Sequence, residues 1–186
     1  APFVKPGALV VSIMAGIPTT AVEAAFPDTH VVRVMPNIAL AVGAGAAGVA
    51  PGKTACDLDV KRTIDLFAPG GVAVEVSEAQ IDDVAALSGS GAAYIYYLVE
   101  NLRDAAIEAG IAPETAAMLA RQTLIGAARQ LEHEDVPPEE LRARITSKKG
   151  TTEAAINALD EHGLPAAVRA CYNANKRRSR ELAEEK

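Results

Sequence analysis

Two short apolar runs near the start of the chain place the strongest constraint on its fold. The segment from Leu9 to Met14 is "LVVSIM", and the segment from His30 to Met35 is "HVVRVM". The first has Pro-Gly before it and Gly-Ile-Pro after it, and the second ends in Pro-Asn. Apolar runs of this length with such boundaries are typical of strands that are buried on both faces.

Helical patterns alternate with strand candidates in the first part of the chain. A weaker strand candidate spans Ala44 to Val49, and another spans Gly71 to Val76. Helices are predicted from Thr19 to Phe26 and from Cys56 to Phe67. This alternation predicts a parallel α/β sheet.

The pattern changes near residue 80, after which almost every segment is helical. Glycine or proline stands at each break between the helices. The predicted helices are Asp82 to Gly110, Pro113 to Glu132, Pro138 to Ile145, Thr151 to His162 and Pro165 to Glu184. A small α/β part is therefore followed by a helical part of about a hundred residues.

Composition narrows the class of protein. The chain is 49% hydrophobic but only 4% aromatic and has no tryptophan, so alanine and aliphatic side chains must form most of the core. Its net charge of -6 argues against a partner that is a nucleic acid or an anionic membrane. Because the sequence shows neither a bilayer span nor a signal peptide, we expect a cytoplasmic location.

The cysteines and histidines show no metal-ligand spacing. Cys56 and Cys171 are far apart, and we expect free thiols. The three histidines are expected at the surface, outside any catalytic triad, and we expect no metal site; they are His30, His133 and His162.

The segment from Ile145 to Ile156, "ITSKKGTTEAAI", combines two lysines, a glycine and two threonines at the predicted start of a helix. A P-loop would need its lysine after the glycine and a strand before it, and neither condition is met. Two interpretations remain: the helix start binds an anion, or its hydroxyls only cap the helix. Spacing alone favours the cap.

Three other segments have polar or glycine-rich patterns. "SGSG", from Ser88 to Gly91, opens an apolar helix, and it favours close helix packing over a phosphate-binding turn. Met35 to Asn37 follows a buried strand, at the edge where α/β sheets bind ligands. Gly43, Gly45 and Gly48 spell G-x-G-x-x-G but precede no helix, so we reject a dinucleotide fingerprint there.

Five ordered blocks of the chain together resemble the pyrroline-5-carboxylate reductase family, which performs the last step of proline biosynthesis. They run from about Val4 to Leu182, nearly the whole chain. The blocks are "VKPGALVVSIMAGIP", "VVRVMPN", "ALSGSGAAYIYYLVENLRDAAIEAGI", "QTLIGAAR" and "ITSKKGTTEAAINALDEHGLPAAVRACYNANKRRSREL".

The resemblance implies an α/β remnant of a Rossmann-like domain, the C-terminal portion of a dinucleotide-binding domain, in residues 1–80. An all-α helical domain for dimerisation and substrate binding would follow in residues 81–186. The implied reaction is hydride transfer from NADPH or NADH to a cyclic imine, pyrroline-5-carboxylate, to give L-proline. The implied partners are this small substrate and a second copy of the chain, and whether dimers assemble further stays open.

The resemblance also implies roles for individual residues. In the family, the loop that matches Ser147 to Thr152 binds the substrate carboxylate, which implies substrate-binding roles for Ser147, Gly150, Thr151 and Thr152. Thr152 matches a threonine near the ring nitrogen, where its hydroxyl is expected to position or relay a proton. The positions that match the nicotinamide side are Lys5, Pro6, Ala15, Gly16, Met35, Pro36 and Asn37.

The chain departs from the family pattern in two ways that bear on activity. Lys149 stands where the family has glycine, and it is expected to be strained if that position needs a positive φ. The family's first strand and Gly-rich turn would precede residue 1, so we expect weak or no turnover from these residues alone. The alternative function is a non-catalytic oligomerisation module derived from the enzyme. The Ser-x-x-Gly-Thr-Thr loop disfavours a sibling imine or β-hydroxyacid reductase.

Overall fold

The computed structural model describes residues 3–184. The strands are β1 (Leu9–Ser12), β2 (His30–Pro36), β3 (Gly45–Pro51) and β4 (Gly71–Glu75). The helices are α1 (Thr19–Ala25), α2 (Asp57–Phe67), α3 (Ile81–Val84), α4 (Gly91–Glu108), α5 (Pro113–His133), α6 (Pro138–Arg144), α7 (Thr151–Glu161) and α8 (Leu164–Glu184). The predicted fold class, an α/β part followed by a helical part, is confirmed.

The chain forms two compact units. One unit comprises the described residues up to Ala92 together with those from Ala170 onward, and the other is Ala93–Arg169. The first, which we call the sheet unit, contains the four strands and the C-terminal part of α8. The second, the helical unit, contains most of α4, all of α5 to α7 and the start of α8.

The sheet has the order β1-β2-β3-β4 and is mixed, so the prediction of a parallel sheet is wrong for one pair. β1 pairs with β2 in parallel, and β3 with β4 likewise, but β2 and β3 are antiparallel. The link from β2 to β3 contains only the 3₁₀ turn Ile38–Val42. Because a parallel pair needs a long crossover, so short a link leaves only the antiparallel arrangement.

β3 was the weakest strand candidate, yet it lies in the middle of the sheet. Its alanines and glycines are poor strand formers, but five of its seven residues are buried. A Cβ on Gly48 would stand 2.8 Å from Val84 Cγ2, so glycine lets α3 pack closely on the strand. The position of β3 is therefore set by tertiary packing. Gly45 and Gly48 lie in this strand, which confirms that their G-x-G-x-x-G pattern is no dinucleotide fingerprint.

The aliphatic core of the sheet unit lies between the central strands and α2. Its buried members come from β2, β3 and α2, and they are Val32, Val34, Ala47, Val49 and Val60. β1 was predicted to be buried on both faces, but three of its four residues are only half-buried. It is an edge strand, so one of its sides lacks a neighbouring strand in the described sheet.

The α2 helix begins with a capping box formed by Cys56 and Asp59. The Asp59 carboxylate accepts hydrogen bonds from the Cys56 amide at 3.0 Å and from its thiol at 3.1 Å. These bonds, together with one from His30, lower the pKa of Asp59 to about 2, although its burial opposes the shift. Both Cys56 and Cys171 are free thiols, as predicted.

The C-terminal part of α8 is joined to α3 by polar contacts within the sheet unit. Tyr172 Oη donates to Asp83 Oδ1 at 2.9 Å, and Lys176 Nζ pairs with the same oxygen. Ser179 Oγ donates to Asp82 Oδ1 at 2.8 Å. The Lys176 and Tyr172 hydrogen bonds lower the pKa of Asp83, and the Asp83 carboxylate raises the pKa of Tyr172.

The helical unit exposes many large apolar side chains. Tyr96 and Tyr97 are 57% and 67% exposed, so they do not fill a core within the chain. Other exposed apolar residues on α4 and α5 are Ile95, Leu98, Leu102, Met118, Leu119 and Leu131. None of the helices within the described residues is both long and apolar enough to cross a membrane.

Candidate substrate and cofactor sites

The loop Ser147–Thr152 ends at the amino end of α7, in the helical unit. Gly150 is the N-cap of this helix, and no side chain in residues 3–184 forms a capping hydrogen bond there. The interpretation that local hydroxyls cap the helix is therefore wrong. Because the first amides of a helix have no partner inside it, this uncapped end presents hydrogen-bond donors and the positive end of the helix dipole.

A tight turn precedes the helix and brings Ser147 beside Gly150. The Gly150 amide donates to the Ser147 carbonyl at 2.9 Å. A Cβ on Gly150 would stand 2.4 Å from Ser147 Oγ and 2.8 Å from its carbonyl oxygen, so the turn requires glycine here. The Ser147 hydroxyl consequently lies next to the first turn of α7.

Lys149 has a φ of 61°, which confirms the expected left-handed conformation at the position where the family has glycine. Its amide donates to Glu153 Oε2 at 2.7 Å. The side chains of Lys148 and Lys149 are exposed, as are Ser147 and Thr151, while Thr152 is half-buried. The loop thus combines two cations and three hydroxyls with one nearby carboxylate.

The carboxyl ends of β1 and β2 lie at one edge of the sheet, because the two strands are parallel. The β1 end leads into the exposed residues Ile13 and Met14 and then into a turn that contains the buried Gly16, which has a φ of 72°. Ile38 follows the β2 end and is 74% exposed. Apolar side chains that face solvent at this edge are better suited to packing against the face of a planar ring than to binding a small polar solute.

The predicted cofactor residues near this edge differ in exposure. Ala15 is exposed, Pro36 and Asn37 are half-buried, and Met35 is 8% exposed. β2 extends one residue beyond its predicted end at Met35, so Pro36 belongs to the strand and only Asn37 follows it.

The side-chain amide of Asn37 is held by hydrogen bonds at both its oxygen and its nitrogen. Its Oδ1 accepts from the Ala46 amide at 3.1 Å, and its Nδ2 donates to the Ser88 carbonyl at 3.2 Å. Ser88 lies in a π-helical turn, Ala85–Gly89. The sequence did not show this link, because it depends on a contact between segments 51 residues apart.

The SGSG segment, Ser88 to Gly91, overlaps the end of this π-helical turn. The Ser90 amide bonds the Ala85 carbonyl at 2.9 Å, which breaks the single helix predicted from Asp82 to Gly110. A Cβ on Gly91 would meet nothing within 4 Å, and one on Gly89 would make only ordinary contacts. Within the described chain, close packing of another backbone is therefore not the reason for these glycines. Ser90 Oγ also accepts from Asn175 Nδ2 at 2.8 Å.

Lys5 and Pro6 are not brought to the edge that contains Asn37. They form a turn before β1, where the Gly7 amide donates to the Asp28 carbonyl at 2.7 Å. Parallel strands begin at a common edge, so this turn lies at the amino ends of β1 and β2. Lys5 and Pro6 are thus at the opposite end of the sheet from the other predicted cofactor residues.

Comparison with known proteins identifies a family. Residues 78–182 match the family model described as pyrroline-5-carboxylate reductase dimerisation. A pyrroline-5-carboxylate reductase of Methanosarcina acetivorans is 42% identical over 95% of this chain and 66% of its own length. One of Pseudomonas aeruginosa is 42% identical over 100% of this chain and 68% of its own length. The chain therefore spans about two thirds of the length of these curated relatives.

Solved structures show the same relationship. A pyrroline-5-carboxylate reductase from Coxiella burnetii has a TM-score of 0.89 at 36% identity, covering 94% of this chain and 65% of that one. Pyrroline carboxylate reductase of Plasmodium falciparum, solved with NADP bound, has a TM-score of 0.83 at 28% identity. That match covers 94% of this chain and 71% of the Plasmodium chain.

Proposed function

Since the chain belongs to the pyrroline-5-carboxylate reductase family, we propose that it takes part in reducing pyrroline-5-carboxylate to L-proline with NADPH or NADH. The reaction adds a hydride to the carbon of a C=N bond and a proton to its nitrogen. The observation that carries this proposal is the uncapped amino end of α7 behind the turn at Gly150.

The amino end of α7 binds the substrate carboxylate. The open amides of its first turn and the exposed hydroxyls of Ser147 and Thr151 are donors suited to an anion. Gly150 allows the serine to approach because it has no Cβ. Two exposed lysines add a favourable field, which the Glu153 carboxylate partly offsets.

Thr152 acts at the ring nitrogen. It is half-buried in the first turn of α7, so its hydroxyl is positioned by the helix more firmly than one on a loop would be. An imine accepts hydride more readily when its nitrogen is protonated, and a hydroxyl at that nitrogen positions or relays the proton.

The residues at the carboxyl edge of β1 and β2 fit a nicotinamide ring. The edge offers exposed apolar side chains beside the buried, positive-φ Gly16 and the fixed amide of Asn37. Ala15, Gly16, Met35, Pro36 and Asn37 stay in the proposed cofactor site, whereas Lys5 and Pro6 are left out because they lie at the other end of the sheet. When bound, the cofactor supplies the hydride, and the protein supplies orientation and charge.

A ligand titration tests the carboxylate site independently of turnover. L-proline is added to the ¹⁵N-labelled chain while the amide resonances of Thr151 and Thr152 are followed, with L-prolinamide, which keeps the ring amine but lacks the carboxylate, as the control. We expect shifts with proline that are much larger than those with prolinamide. Equal shifts with both compounds, or none with either, would contradict the assignment of the α7 end.

A second candidate function, a non-catalytic dimerisation module, is favoured by the exposed apolar side chains on α4 and α5. Loss of NADPH absorbance in the presence of pyrroline-5-carboxylate separates the two functions, since any turnover rejects a purely structural role. Dimerisation itself is measured by light scattering. A Tyr96→Ser/Tyr97→Ser variant is expected to dissociate at concentrations at least about tenfold higher than wild type if these rings lie in the interface.

A further inference from the structure

Three side chains with metal-binding atoms meet where α2 approaches β2 in the sheet unit. His30 is the first residue of β2, Cys56 is the N-cap of α2, and Asp59 lies in the first turn of that helix. His30 Nδ1 is 2.6 Å from Asp59 Oδ2, and Cys56 Sγ is 3.1 Å from the same oxygen. The three ligand atoms all lie within 4.8 Å of one another.

We propose that His30 Nδ1, Cys56 Sγ and Asp59 Oδ2 form a binding site for a divalent cation of the zinc class. Zinc takes nitrogen, sulfur and oxygen ligands at about 2.0–2.3 Å in a tetrahedron, which places neighbouring ligand atoms about 3.3–3.6 Å apart. The distances between the three atoms are within about 1.5 Å of this arrangement. Small rotations of the exposed Cys56 and the half-exposed His30 complete it.

The charges of the ligands match a dication. Binding forms an S–M bond at Cys56 and releases the thiol proton to solvent. The imidazole changes tautomer, so that the proton it shares with Asp59 in the metal-free chain leaves Nδ1 and Nε2 takes one from solvent, which frees Nδ1 to ligate. The thiolate and the Asp59 carboxylate then neutralise the two positive charges, and no electron is transferred. The His30 side chain is 40% exposed, so the open side admits the ion and a water molecule as fourth ligand.

The backbone already fixes all three ligands. The His30 amide donates to the Ala8 carbonyl at 2.9 Å, which anchors the start of β2. The Asp59 amide donates to the Cys56 carbonyl at 2.9 Å, and Thr63 Oγ1 donates to the Asp59 carbonyl at 2.8 Å. Asp59 is buried, so it serves as the rigid ligand around which the other two adjust.

Helix capping alone does not account for the cluster. Serine, threonine, asparagine and aspartate are the preferred N-cap residues, so a hydroxyl would cap α2 at least as well as the thiol of Cys56. The capping box also does not require the histidine that bonds Asp59 from β2. A thiol, an imidazole and a carboxylate at one point form a typical set of ligands for a borderline-soft cation.

Titration of the untagged, reduced 186-residue chain with Co²⁺ tests the site, because a cobalt–thiolate bond gives near-ultraviolet charge-transfer absorption. We expect this absorption in wild type and its removal by an excess of Zn²⁺. Cys56→Ser keeps a good N-cap and should abolish it, whereas the matched control Cys171→Ser should leave it unchanged. His30→Gln should weaken Co²⁺ binding by at least about tenfold, the loss that even outer-shell changes cause. His162→Gln is its control.

The results of this titration either support or overturn the proposed metal site. The site is supported if the charge-transfer absorption depends on Cys56 and His30 while far-ultraviolet circular dichroism shows each variant folded. The proposal is overturned if wild type gives no absorption, if Cys56→Ser retains it, or if it follows Cys171. As a second measurement, Zn²⁺ should raise the melting temperature of wild type, and Mg²⁺ at the same concentration should not.

Discussion

Replacement of Lys149 by glycine should stabilise the chain, although glycine usually has the opposite effect. Lys149 has a φ of 61°, and a residue with a Cβ pays about 1–2 kcal/mol in this region. Glycine removes that strain but adds about 0.4–1 kcal/mol of conformational entropy to the unfolded chain. The difference between the middle values of these two ranges leaves a gain of about 0.5–1 kcal/mol in the free energy of unfolding.

The neighbouring lysine provides a matched control. Lys148 is also exposed but is absent from the described residues with positive φ, so Lys148→Gly should lower the free energy of unfolding by about 0.4–1 kcal/mol. Both variants lose one exposed lysine, so the loss of charge cancels in their comparison. Lys149→Ala tests the charge alone, because alanine keeps the strained Cβ. The residue 149 amide donates to the Glu153 side chain, and this bond persists in every variant because the donor is a backbone group and Glu153 is unchanged.

The assay is thermal unfolding followed by far-ultraviolet circular dichroism at one fixed protein concentration, since association shifts the midpoint. For a chain of this size 1 kcal/mol corresponds to about 2–4 °C. We therefore expect Lys149→Gly to melt about 1–4 °C above wild type and Lys148→Gly below it. If the two glycine variants fall together below wild type, strain at Lys149 is not the cause.

Three further predictions concern single side chains. Thr152→Ala, in a chimera with the amino-terminal segment of the Pseudomonas aeruginosa relative, should lower turnover by about 10²-fold or more, while Thr123→Ala should not. Gly150→Ala should lower the free energy of unfolding by about 1–3 kcal/mol, because the new Cβ collides with the preceding turn. The control Gly126→Ala should raise it by about 0.5–1 kcal/mol, because that Cβ would stand in open space and alanine is the better residue inside a helix such as α5. Asp83 has a lowered pKa in the folded chain, so its ionised form contributes stability above its ordinary pKa, and this stability is lost as the pH falls. Asp83→Asn should therefore flatten the fall of the melting temperature below about pH 4. At neutral pH it should lower the free energy of unfolding by about 0.5–1 kcal/mol.

Each of these predictions has a result that would contradict it. Equal kinetics for the Thr152 and Thr123 variants would remove the proton role of Thr152. A Gly150→Ala chain as stable as wild type would show that the turn can relax. A pH profile of Asp83→Asn that parallels wild type would show that another carboxylate controls acid unfolding.

Local patterns in the sequence are sufficient for most of the elements. The apolar run that starts at Leu9, the glycine before Thr151 and Pro113 at the start of α5 each act within a few residues of the chain. The resulting strand and helix predictions agree with the structure to within a few residues at most ends. Their pairing depends on distant contacts, which is why the antiparallel β2–β3 pair and the central place of β3 were not foreseen.

The same limit applies to the candidate sites. The strain at Lys149 was predictable, since one residue type at one turn position determines it. The amide link of Asn37 to Ser88 and the meeting of His30 with the first turn of α2 were not, because chain spacing carries no sign of them. Nor could the sequence show that Lys5 lies at the amino edge of the sheet, which follows from the register of β1.

The π-helical turn Ala85–Gly89 contains one residue more than an α-helix needs between the same two ends. A single-codon insertion into a regular helix is therefore a sufficient origin for it, and deleting Gly89 should restore the regular ladder. The deletion would move the residues after Ser88 back by one position, a rotation of about 100° about the helix axis, so Ser88 would no longer keep its present place relative to both α3 and α4. The extra residue thus allows Ser88 to bond Asn37 at the end of β2 while the chain continues into α4 in its present orientation.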